Sequence, residues 1–367
     1  MKDIRAWIVS LFIIVSLILT TMAVMASAEE RNKNSARAMA LYSPDTDSFL
    51  YTKNADERLP MASTTKIMTA LVALENAELD TLVTVPKEAV GIEGSSLYLS
   101  VGDTLTVRDL LYSLMLRSAN DAAVTLAIEV AGDIATFAGM MNSRAAKLGL
   151  TNTSFENPHG LDSGGHYTTA RELSIIAAEA LKNETFRKIA STYKYTFPLG
   201  EGVRTVVNHN KLLKSYEGAI GVKTGFTRKC GRCLVSAAER DGITLVAVTL
   251  DDPNDWQDHR NILDFGFEAL VAVPLSSLTE TSFTIPAVGL TRDSISASLL
   301  SDIKIITKKG DALSAACDIR QYLTSDVAIG DKVGQIFVYK NGDLIATYDI
   351  CANEDAKRIK KRSFFGS

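Results

Sequence analysis

Ser63 and Lys66 are spaced as Ser-x-x-Lys at the start of an apolar segment that runs to Leu74. If this segment is a helix, residues three apart share a face and the hydroxyl lies beside the amine. A serine becomes an effective nucleophile when a neighbouring base takes its proton. A lysine is such a base only when burial or a second cation lowers its pKa. Taken alone, the pattern favours a simpler interpretation, an N-capping serine followed by a surface lysine.

Two later patterns contain the same kinds of group. Ser-Ala-Asn occupies 118–120, where the sequence breaks between two apolar helical stretches, and Lys-Thr-Gly occupies 223–225 within a predicted strand. Each of these two patterns also has a purely structural explanation that involves no catalysis. Asn120 or Asp121 would cap the following helix, and the second pattern would be a solvated lysine followed by a β-bulge at the glycine.

The composition limits the classes of partner. The chain has 367 residues, of which 46% are hydrophobic and 22% are charged, and its formal net charge is −4. These values are typical of a globular protein, and the length is sufficient for two domains. A small negative charge gives no indication of a nucleic-acid partner, so we expect none.

The N-terminus has the pattern of a secretory signal. Lys2 and Arg5 precede an apolar run at 6–19, and Ala-Ser-Ala at 26–28 is a small-residue cleavage pattern. We interpret residues 1–28 as a signal peptide, with an uncleaved membrane anchor as the alternative. Both interpretations predict export and an extracytoplasmic location in the cell envelope.

Hydrophobic periodicity predicts a first domain with strands at both ends and helices between them. We expect the terminal strands to share one sheet in an α/β sandwich over 29–271. The predicted strands are 38–42, 48–52, 219–226, 233–238 and 243–250, and the predicted helices are one from Ser63 onward, 107–115, 122–130, 137–148, 169–182 and 262–270.

The helical pattern disappears beyond residue 271. Short alternating runs predict a small all-β domain at 272–355, with an Asn-Gly hairpin signal at 341–342. Residues 356–367 form a basic tail that also contains two phenylalanines. This tail would either contact a membrane surface or be a solvated terminus.

The cysteines and histidines do not form a recognisable metal pattern. Cys230 and Cys233 have C-x-x-C spacing, which occurs in redox sites and in half of a zinc site, but no second such pair exists. The four histidines form no paired cluster, so we expect no metal and no cofactor. We interpret the cysteines as incidental thiols or as one structural bridge, for which Cys317 with Cys351 is the more plausible pair because both fall in the C-terminal segment.

The three serine and lysine patterns, in this order and behind an export signal, resemble those of penicillin-recognising serine enzymes. Over nearly its whole mature length, the chain is similar to the D-alanyl-D-alanine carboxypeptidases, which are low-molecular-mass penicillin-binding proteins. Added support comes from Lys-Thr-Gly-Phe-Thr at 223–227, Asn-Pro-His-Gly-Leu-Asp at 157–162 and the β-rich extension. The resemblance implies a β-lactamase/transpeptidase-like sandwich, an antiparallel sheet flanked by helices, with a small C-terminal all-β domain.

The resemblance also implies catalytic roles. Ser63 is expected to be the nucleophile, Lys66 the general base and Ser118 a proton relay. The backbone N–H groups of Ser63 and Phe226 are expected to form the oxyanion hole. His159 lacks an acidic partner in the sequence, so we treat it as a loop-packing residue near the site.

The implied substrate is a peptidoglycan stem peptide ending in D-Ala-D-Ala, from which the terminal D-alanine is removed, and β-lactams are the implied inhibitors. Asn120 is expected to hydrogen-bond the peptide chain of the substrate. Lys223 and Thr224 are expected to hold the terminal carboxylate, for which a lysine point charge is suitable. Gly225 is expected to let the substrate lie close to the strand edge as an added strand.

Three alternatives remain open from the sequence. A serine β-lactamase shares the patterns, but class A relatives carry a Glu-x-x-Leu-Asn loop and usually an aspartate at the position of Ala119. A non-catalytic penicillin-binding wall module could use the same fold, although an intact Ser63, Lys66 and Lys223 set argues against it. A transpeptidase differs only in whether an amine or water attacks the acyl-enzyme.

Overall fold

The computed structural model describes residues 34–359. The predicted signal peptide at 1–28 and the greater part of the predicted basic tail lie outside the described residues. The chain forms two compact units. The first runs to Arg240 and includes Thr244–Phe267, and the second comprises Asp241–Ile243 and the chain from Glu268 onward.

The first unit contains a central sheet, a set of helices and two small accessory hairpins. A 3₁₀ turn at Ala62–Thr65 and a π-helical turn at Ser113–Arg117 interrupt the regular elements. In chain order the elements are β1 (Ala38–Ser43), β2 (Ser48–Lys53), α1 (Lys66–Asn76), β3 (Leu82–Thr84), β4 (Thr104–Thr106), α2 (Val107–Tyr112), α3 (Asn120–Ala131), α4 (Ile134–Lys147), α5 (Ala170–Leu181), α6 (Glu184–Ser191), β5 (Lys194–Leu199), β6 (Gly202–Val207), α7 (Leu212–Ser215), β7 (Ala219–Thr227), β8 (Gly231–Arg240), β9 (Ile243–Leu250) and α8 (Asp255–Ala269).

The central sheet joins the two ends of the first unit, as the sequence predicts. Its strand order is β2-β1-β9-β8-β7, and every pairing in it with a defined register is antiparallel. Ala38 pairs with Leu250 and Tyr42 pairs with Val246, so the first strand closes on the last. β7, which carries Lys-Thr-Gly, is an edge strand.

Helix α1 is the centre of the hydrophobic core. Its residues 66–73 are all buried, which is why the sequence shows almost no polar face there. A helix with apolar residues on all sides is stable only where other elements surround it. Helices α3 to α6 and the sheet provide that surrounding, and the predicted sandwich of sheet and helices is confirmed.

Polar residues account for most differences between predicted and observed helix ends. α4 begins at Ile134 rather than near 137, because the carboxylate of Asp133 accepts a hydrogen bond from the Thr136 N–H. α8 begins at Asp255, ahead of the predicted start at 262, and acidic side chains in a first turn are favoured by the helix dipole. The hairpin β5–β6 is not predicted from the sequence.

Up to residue 359, the second unit is all β apart from a short 3₁₀ turn at Leu275–Ser277 and the end of α8, which confirms that expectation. Its larger sheet has the order β11-β12-β16-β15-β14, and β10 pairs with β13. Asn341 and Gly342 have φ angles of 53° and 95° and join β15 to β16, as the Asn-Gly signal predicts. The strands are β10 (Leu270–Pro274), β11 (Ser282–Pro286), β12 (Ser294–Ser298), β13 (Lys304–Lys308), β14 (Leu313–Ile319), β15 (Lys332–Lys340) and β16 (Asp343–Ala352).

Within residues 34–359, no single helix is long and apolar enough to cross a membrane. The pair α3 and α4 meets the length and composition criteria only when taken together, and the two helices are bent by 84° relative to each other.

Candidate active site

Ser63 lies in the 3₁₀ turn that leads into α1. The Ser63 side chain does not cap this helix. Thr65 occupies the N-cap position of α1, and no side chain caps either the turn or the helix. The hydroxyls of Thr64 and Thr65 hold the turn instead, by donating to the carbonyls of Met61 and Ala62 at 2.6 and 2.8 Å. The interpretation of Ser63 as an ordinary N-cap is therefore wrong.

Lys66 is completely buried, and its amine lies among three oxygens. Nζ is 3.0 Å from Ser63 Oγ, 2.7 Å from Asn120 Oδ1 and 2.6 Å from the His159 carbonyl oxygen. Two of these oxygens only accept hydrogen bonds, whereas the serine hydroxyl can also donate. The interpretation of Lys66 as a surface lysine is wrong.

This set of partners accommodates an ammonium that donates to all three oxygens, and it equally accommodates a neutral amine. A neutral amine has two N–H groups and one lone pair, and Asn120 Oδ1 and the His159 carbonyl each require one N–H. The lone pair is then left for the hydroxyl proton of Ser63. The orientation of the Asn120 amide is fixed from its other end, because Nδ2 donates to the Glu93 carbonyl at 2.5 Å.

The electrostatic surroundings favour the neutral form. Burial lowers the pKa of Lys66 well below its usual range, and the nearby charge of Lys223 lowers it further, with a smaller opposing effect from Asp121. Burial also lowers the pKa of Lys223, to about 7. Lys223 is only 1% exposed, so it is not a solvated strand residue.

The Ser-Ala-Asn segment connects the π-helical turn to α3. Ser118 has the left-handed conformation, with φ of 63°, and is nearly buried. Within residues 34–359, its hydroxyl makes no hydrogen bond to Ser63, Lys66 or Lys223, so the proton-relay role of Ser118 stays a prediction. Asn120 makes direct contact with Lys66, a role that the sequence does not reveal. Helix capping by Asn120 is wrong, because Ala119 is the N-cap of α3 and no side chain caps it.

Lys-Thr-Gly lies on the edge strand β7 directly beside the Ser63 turn. A Cβ added at Gly225 would lie 3.1 Å from both the Met61 carbonyl oxygen and the Ser63 amide nitrogen. The glycine therefore permits the strand and the turn to meet. The register of β7 with β8 is regular at Gly225, so the bulge interpretation is wrong. Lys223 Nζ donates to the Thr224 carbonyl at 2.9 Å, and the Phe226 side chain is 64% exposed.

The loop at 157–162 packs against the Ser63 turn and helix α1. The His159 carbonyl accepts from Lys66, and the Pro158 carbonyl accepts from Thr69 Oγ1 at 2.6 Å. Gly160 has φ of 89°, and a Cβ added there would lie 2.0 Å from the Ala62 carbonyl oxygen. The treatment of His159 as a loop residue near the site agrees with this geometry. Burial, with the neighbouring Lys66 charge, lowers the pKa of its imidazole to about 3.

A second histidine supports the Ser63 turn, and sequence reasoning missed it. The Glu156 N–H donates to His166 Nδ1 at 3.0 Å, so Nε2 carries the proton and donates to Thr65 Oγ1 at 2.7 Å. The Thr65 hydroxyl continues the chain of hydrogen bonds to the Ala62 carbonyl. Burial lowers the pKa of His166 to about 4, which keeps the ring neutral. The only sequence signal would have been its position after a glycine-rich loop.

The cysteines differ from the expected pairing. All four are free thiols, so the favoured Cys317–Cys351 bridge is wrong. The Sγ atoms of Cys230 and Cys233 lie 3.9 Å apart. Within residues 34–359, no group of three or more His, Cys, Asp or Glu side chains could hold a metal ion.

Two family models match the sequence. Residues 23–254 match the family described as D-alanyl-D-alanine carboxypeptidase. Residues 283–358 match the family described as the C-terminal domain of penicillin-binding protein 5. The two matched segments follow one another along the chain and cover most of the described residues.

Individual proteins show the same similarity. The D-alanyl-D-alanine carboxypeptidase DacF of Bacillus subtilis is 31% identical over 364 residues, with 94% of each chain covered. The crystal structure of the Streptomyces K15 DD-transpeptidase is 40% identical, covers 64% of this chain and 98% of its own, and has a TM-score of 0.61. Penicillin-binding protein 5 of Haemophilus influenzae is 26% identical, covers 89% of this chain and 98% of its own, and has a TM-score of 0.65.

Proposed function

The chain belongs to the D-alanyl-D-alanine carboxypeptidase family and is a serine-type D-Ala-D-Ala carboxypeptidase, and we propose that Ser63 is the nucleophile that forms its acyl-enzyme. The observation that carries this proposal is the contact between Ser63 Oγ and the fully buried Lys66 amine at 3.0 Å. In its neutral form, a buried amine with two acceptor-only neighbours has its lone pair free for the serine proton.

Acylation follows from that arrangement. Lys66 takes the hydroxyl proton as Ser63 Oγ attacks the carbonyl carbon of the penultimate D-alanine. The amide nitrogens of Ser63 and Phe226 stabilise the oxyanion, and such donors are typically worth about 2.7–4 kcal/mol each. Lys66 then gives its proton to the leaving amine of the terminal D-alanine, with Ser118 as a relay. Water attacks the acyl-enzyme with Lys66 again as the base.

Substrate binding uses the edge strand and the charge of Lys223. The terminal carboxylate of the stem peptide binds the Lys223 ammonium and the Thr224 hydroxyl, and its backbone lies along β7 beside Gly225. Lys223 has a second effect, because its charge lowers the pKa of Lys66. Asn120 orients the Lys66 amine and hydrogen-bonds the substrate chain. β-Lactams acylate Ser63 in place of the peptide.

The proposal extends to the location of the enzyme and to its domain boundaries. Cell-wall stem peptides ending in D-Ala-D-Ala lie outside the cytoplasmic membrane, so the enzyme acts there, exported by the segment at 1–28. Membrane association would come from an uncleaved N-terminal segment or from the basic tail at 356–367. The catalytic domain is 29–271 and the small β domain is 272–355.

Transpeptidation is a second candidate activity, and one observation favours it. The Streptomyces K15 structure that resembles this chain is described as a DD-transpeptidase. The acyl-enzyme is the same in both reactions, and the products differ only in whether water or an amine resolves it. Adding a glycine or D-amino acid acceptor to the peptide assay distinguishes the two by the mass of the product.

Covalent labelling by a fluorescent penicillin tests the proposed nucleophile. We expect a stable adduct on wild type, mapped by mass spectrometry to the peptide that contains Ser63, and no adduct on Ser63→Ala. Ser191→Ala, a change of the same kind at an exposed position, is the matched control and should label normally. Labelling that persists in Ser63→Ala would show that the nucleophile is another residue. Rapid turnover of a chromogenic cephalosporin would show a β-lactamase instead.

A further inference from the structure

The reaction described above leaves one pair of reactive groups unused, Cys230 and Cys233. They lie in and beside the turn between β7 and β8, where Thr227 pairs with Gly231 and Gly225 pairs with Cys233. Cys233 is therefore the cross-strand neighbour of the glycine that contacts the Ser63 turn. The pair is at the end of the strand that carries Lys-Thr-Gly.

The two thiols are close enough to become bonded with a small movement. Their Sγ atoms are 3.9 Å apart, and a disulfide bond is about 2.05 Å long, so they must approach by about 1.9 Å. Both thiols are buried, but Cys233 is on β8, whereas Cys230 lies in the turn, which must open to admit a reagent. The movement therefore falls mainly on the turn.

The two thiols also differ in reactivity. A hydrogen bond from the Cys233 thiol is the largest of the effects that lower the pKa of Cys230 to about 7, while that hydrogen bond and burial raise the pKa of Cys233. Arg228 and Lys229 directly precede Cys230 and are exposed. These cations attract an anionic reagent to the turn.

We propose that Cys230 and Cys233 form a dithiol modification site that is reversibly oxidised to an intrachain disulfide by a low-molecular-weight disulfide, and that this bond slows acylation of Ser63. The Cys230 thiolate attacks one sulfur of the reagent, forms a mixed disulfide and releases one thiol. Cys233 then loses its proton and attacks Cys230 Sγ, which releases the second thiol. Two electrons and two protons pass from the pair to the reagent.

Contacts on both strands connect this bond to the reaction. The Cys230 N–H donates to Thr227 Oγ1 at 3.1 Å, so a moving turn pulls on the residue that follows Phe226. Across the hairpin, Cys233 lies opposite Gly225, which is packed on the Ser63 amide nitrogen. The Phe226 amide of the proposed oxyanion hole is thus next to the segment that moves, and the Ser63 amide is next to the strand to which that segment would be bonded.

The experiment uses the full chain with Cys317→Ser and Cys351→Ala, so that only the pair remains. The protein is treated with oxidised glutathione or dithiothreitol, alkylated, and analysed by mass spectrometry, and acylation by a fluorescent penicillin is timed in parallel. We expect loss of two hydrogens, a cross-link within 230–233, and acylation at least about tenfold slower, restored by dithiothreitol. Cys230→Ser should be acylated by penicillin at the same rate after oxidised glutathione as after dithiothreitol. If Cys230→Ser does not fold, Cys233→Ala serves as the second variant.

Two results would overturn the inference, which rests on the proposed nucleophile only for its rate measurement. One is a pair of thiols that remains fully alkylated after oxidised glutathione. The other is a disulfide that forms without changing the acylation rate. A reduced protein that forms no penicillin adduct contradicts the proposed function instead, and alkylation then still decides whether the disulfide forms.

Discussion

The two buried lysines of the site have different kinds of neighbours, and this difference supports the roles that we propose for them. Lys66 lies among a hydroxyl, an amide oxygen and a carbonyl, a set that accommodates a neutral amine. Lys223 donates to the Thr224 carbonyl and has its pKa lowered to about 7 by burial. One lysine is therefore prepared to take a proton, and the other to bind an anion below about pH 7.

Replacing Asn120 with aspartate tests how Lys66 is kept neutral. In Asn120→Asp a carboxylate would lie where the amide oxygen now contacts the amine, and an opposite charge at that distance raises the pKa of Lys66. Acylation by penicillin at pH 7 should fall about tenfold or more, and the difference from wild type should narrow as the pH rises. Asn261→Asp, on the exposed face of α8, is the control and should leave the rate unchanged. Equal rates in both variants would contradict the role assigned to Asn120.

The pH dependence of acylation should reflect both lysines. Lys66 must be neutral, so the rate rises as pH increases through its lowered pKa. Lys223 must be charged to hold the carboxylate, so the rate falls as pH increases above about 7. In Lys223→Arg the cation is retained at all these pH values, and the descending limb should move to higher pH. A descending limb that stays in place would show that another group causes it.

At the scale of elements, the site depends on the contact between an edge strand and a 3₁₀ turn. β7 approaches the turn because Gly225 has no side chain, and the 157–162 loop approaches it because Gly160 has none. His166 and Thr65 hold the turn from behind through hydrogen bonds. Three separate segments thus fix the position of Ser63.

Gly225→Ala tests this contact. The added Cβ would lie 3.1 Å from the Ser63 amide nitrogen, so β7 and the turn must move apart by a few tenths of an ångström. Acylation should fall by about tenfold or more, because small displacements of reacting groups are costly, while the protein remains folded. Gly139→Ala on α4 is the matched control. Nothing lies within 4 Å of its added Cβ, and alanine should stabilise that helix by up to about 1 kcal/mol. Full activity in Gly225→Ala would contradict the packing argument.

The sequence predicts the elements of this site better than the contacts between them. Hydrophobic periodicity locates α1, the sheet strands and the β-rich second unit, because each element has a period that a short window reveals. The contacts of Lys66 with Asn120 and His159 and of Thr65 with His166 join residues that are 54, 93 and 101 positions apart. Contacts between residues so far apart in the sequence produce no local periodicity from which they could be predicted. The predicted Ser118 relay, substrate contacts and oxyanion donors remain predictions.

At the scale of the whole molecule, each unit has its own hydrophobic core. The core of the first unit surrounds α1, and that of the second includes Ile336, Val338 and Ile350. The proposed catalytic residues all lie in the first unit, and the family model of the carboxypeptidases matches residues 23–254. A defect in the second core should therefore change stability and leave the reaction intact.

Ile336→Ala tests that separation. Ile336 is fully buried, and removing such a side chain typically costs about 2–5 kcal/mol. The calorimetric transition that contains the second unit should shift to lower temperature, while the rate of penicillin acylation at 25 °C stays unchanged. Ile345→Ala is the control, since Ile345 is 41% exposed and should shift the transition little. A loss of acylation in folded Ile336→Ala would show that the second unit contributes to the reaction.

The central claim is that Ser63, activated by Lys66, removes the terminal D-alanine of a D-Ala-D-Ala peptide. Its most direct test is the release of D-alanine from diacetyl-Lys-D-Ala-D-Ala by wild type, Ser63→Ala and the control Ser191→Ala. We predict release by wild type and the control and none by Ser63→Ala. Absence of release by all three proteins, or equal release by Ser63→Ala, would contradict the account.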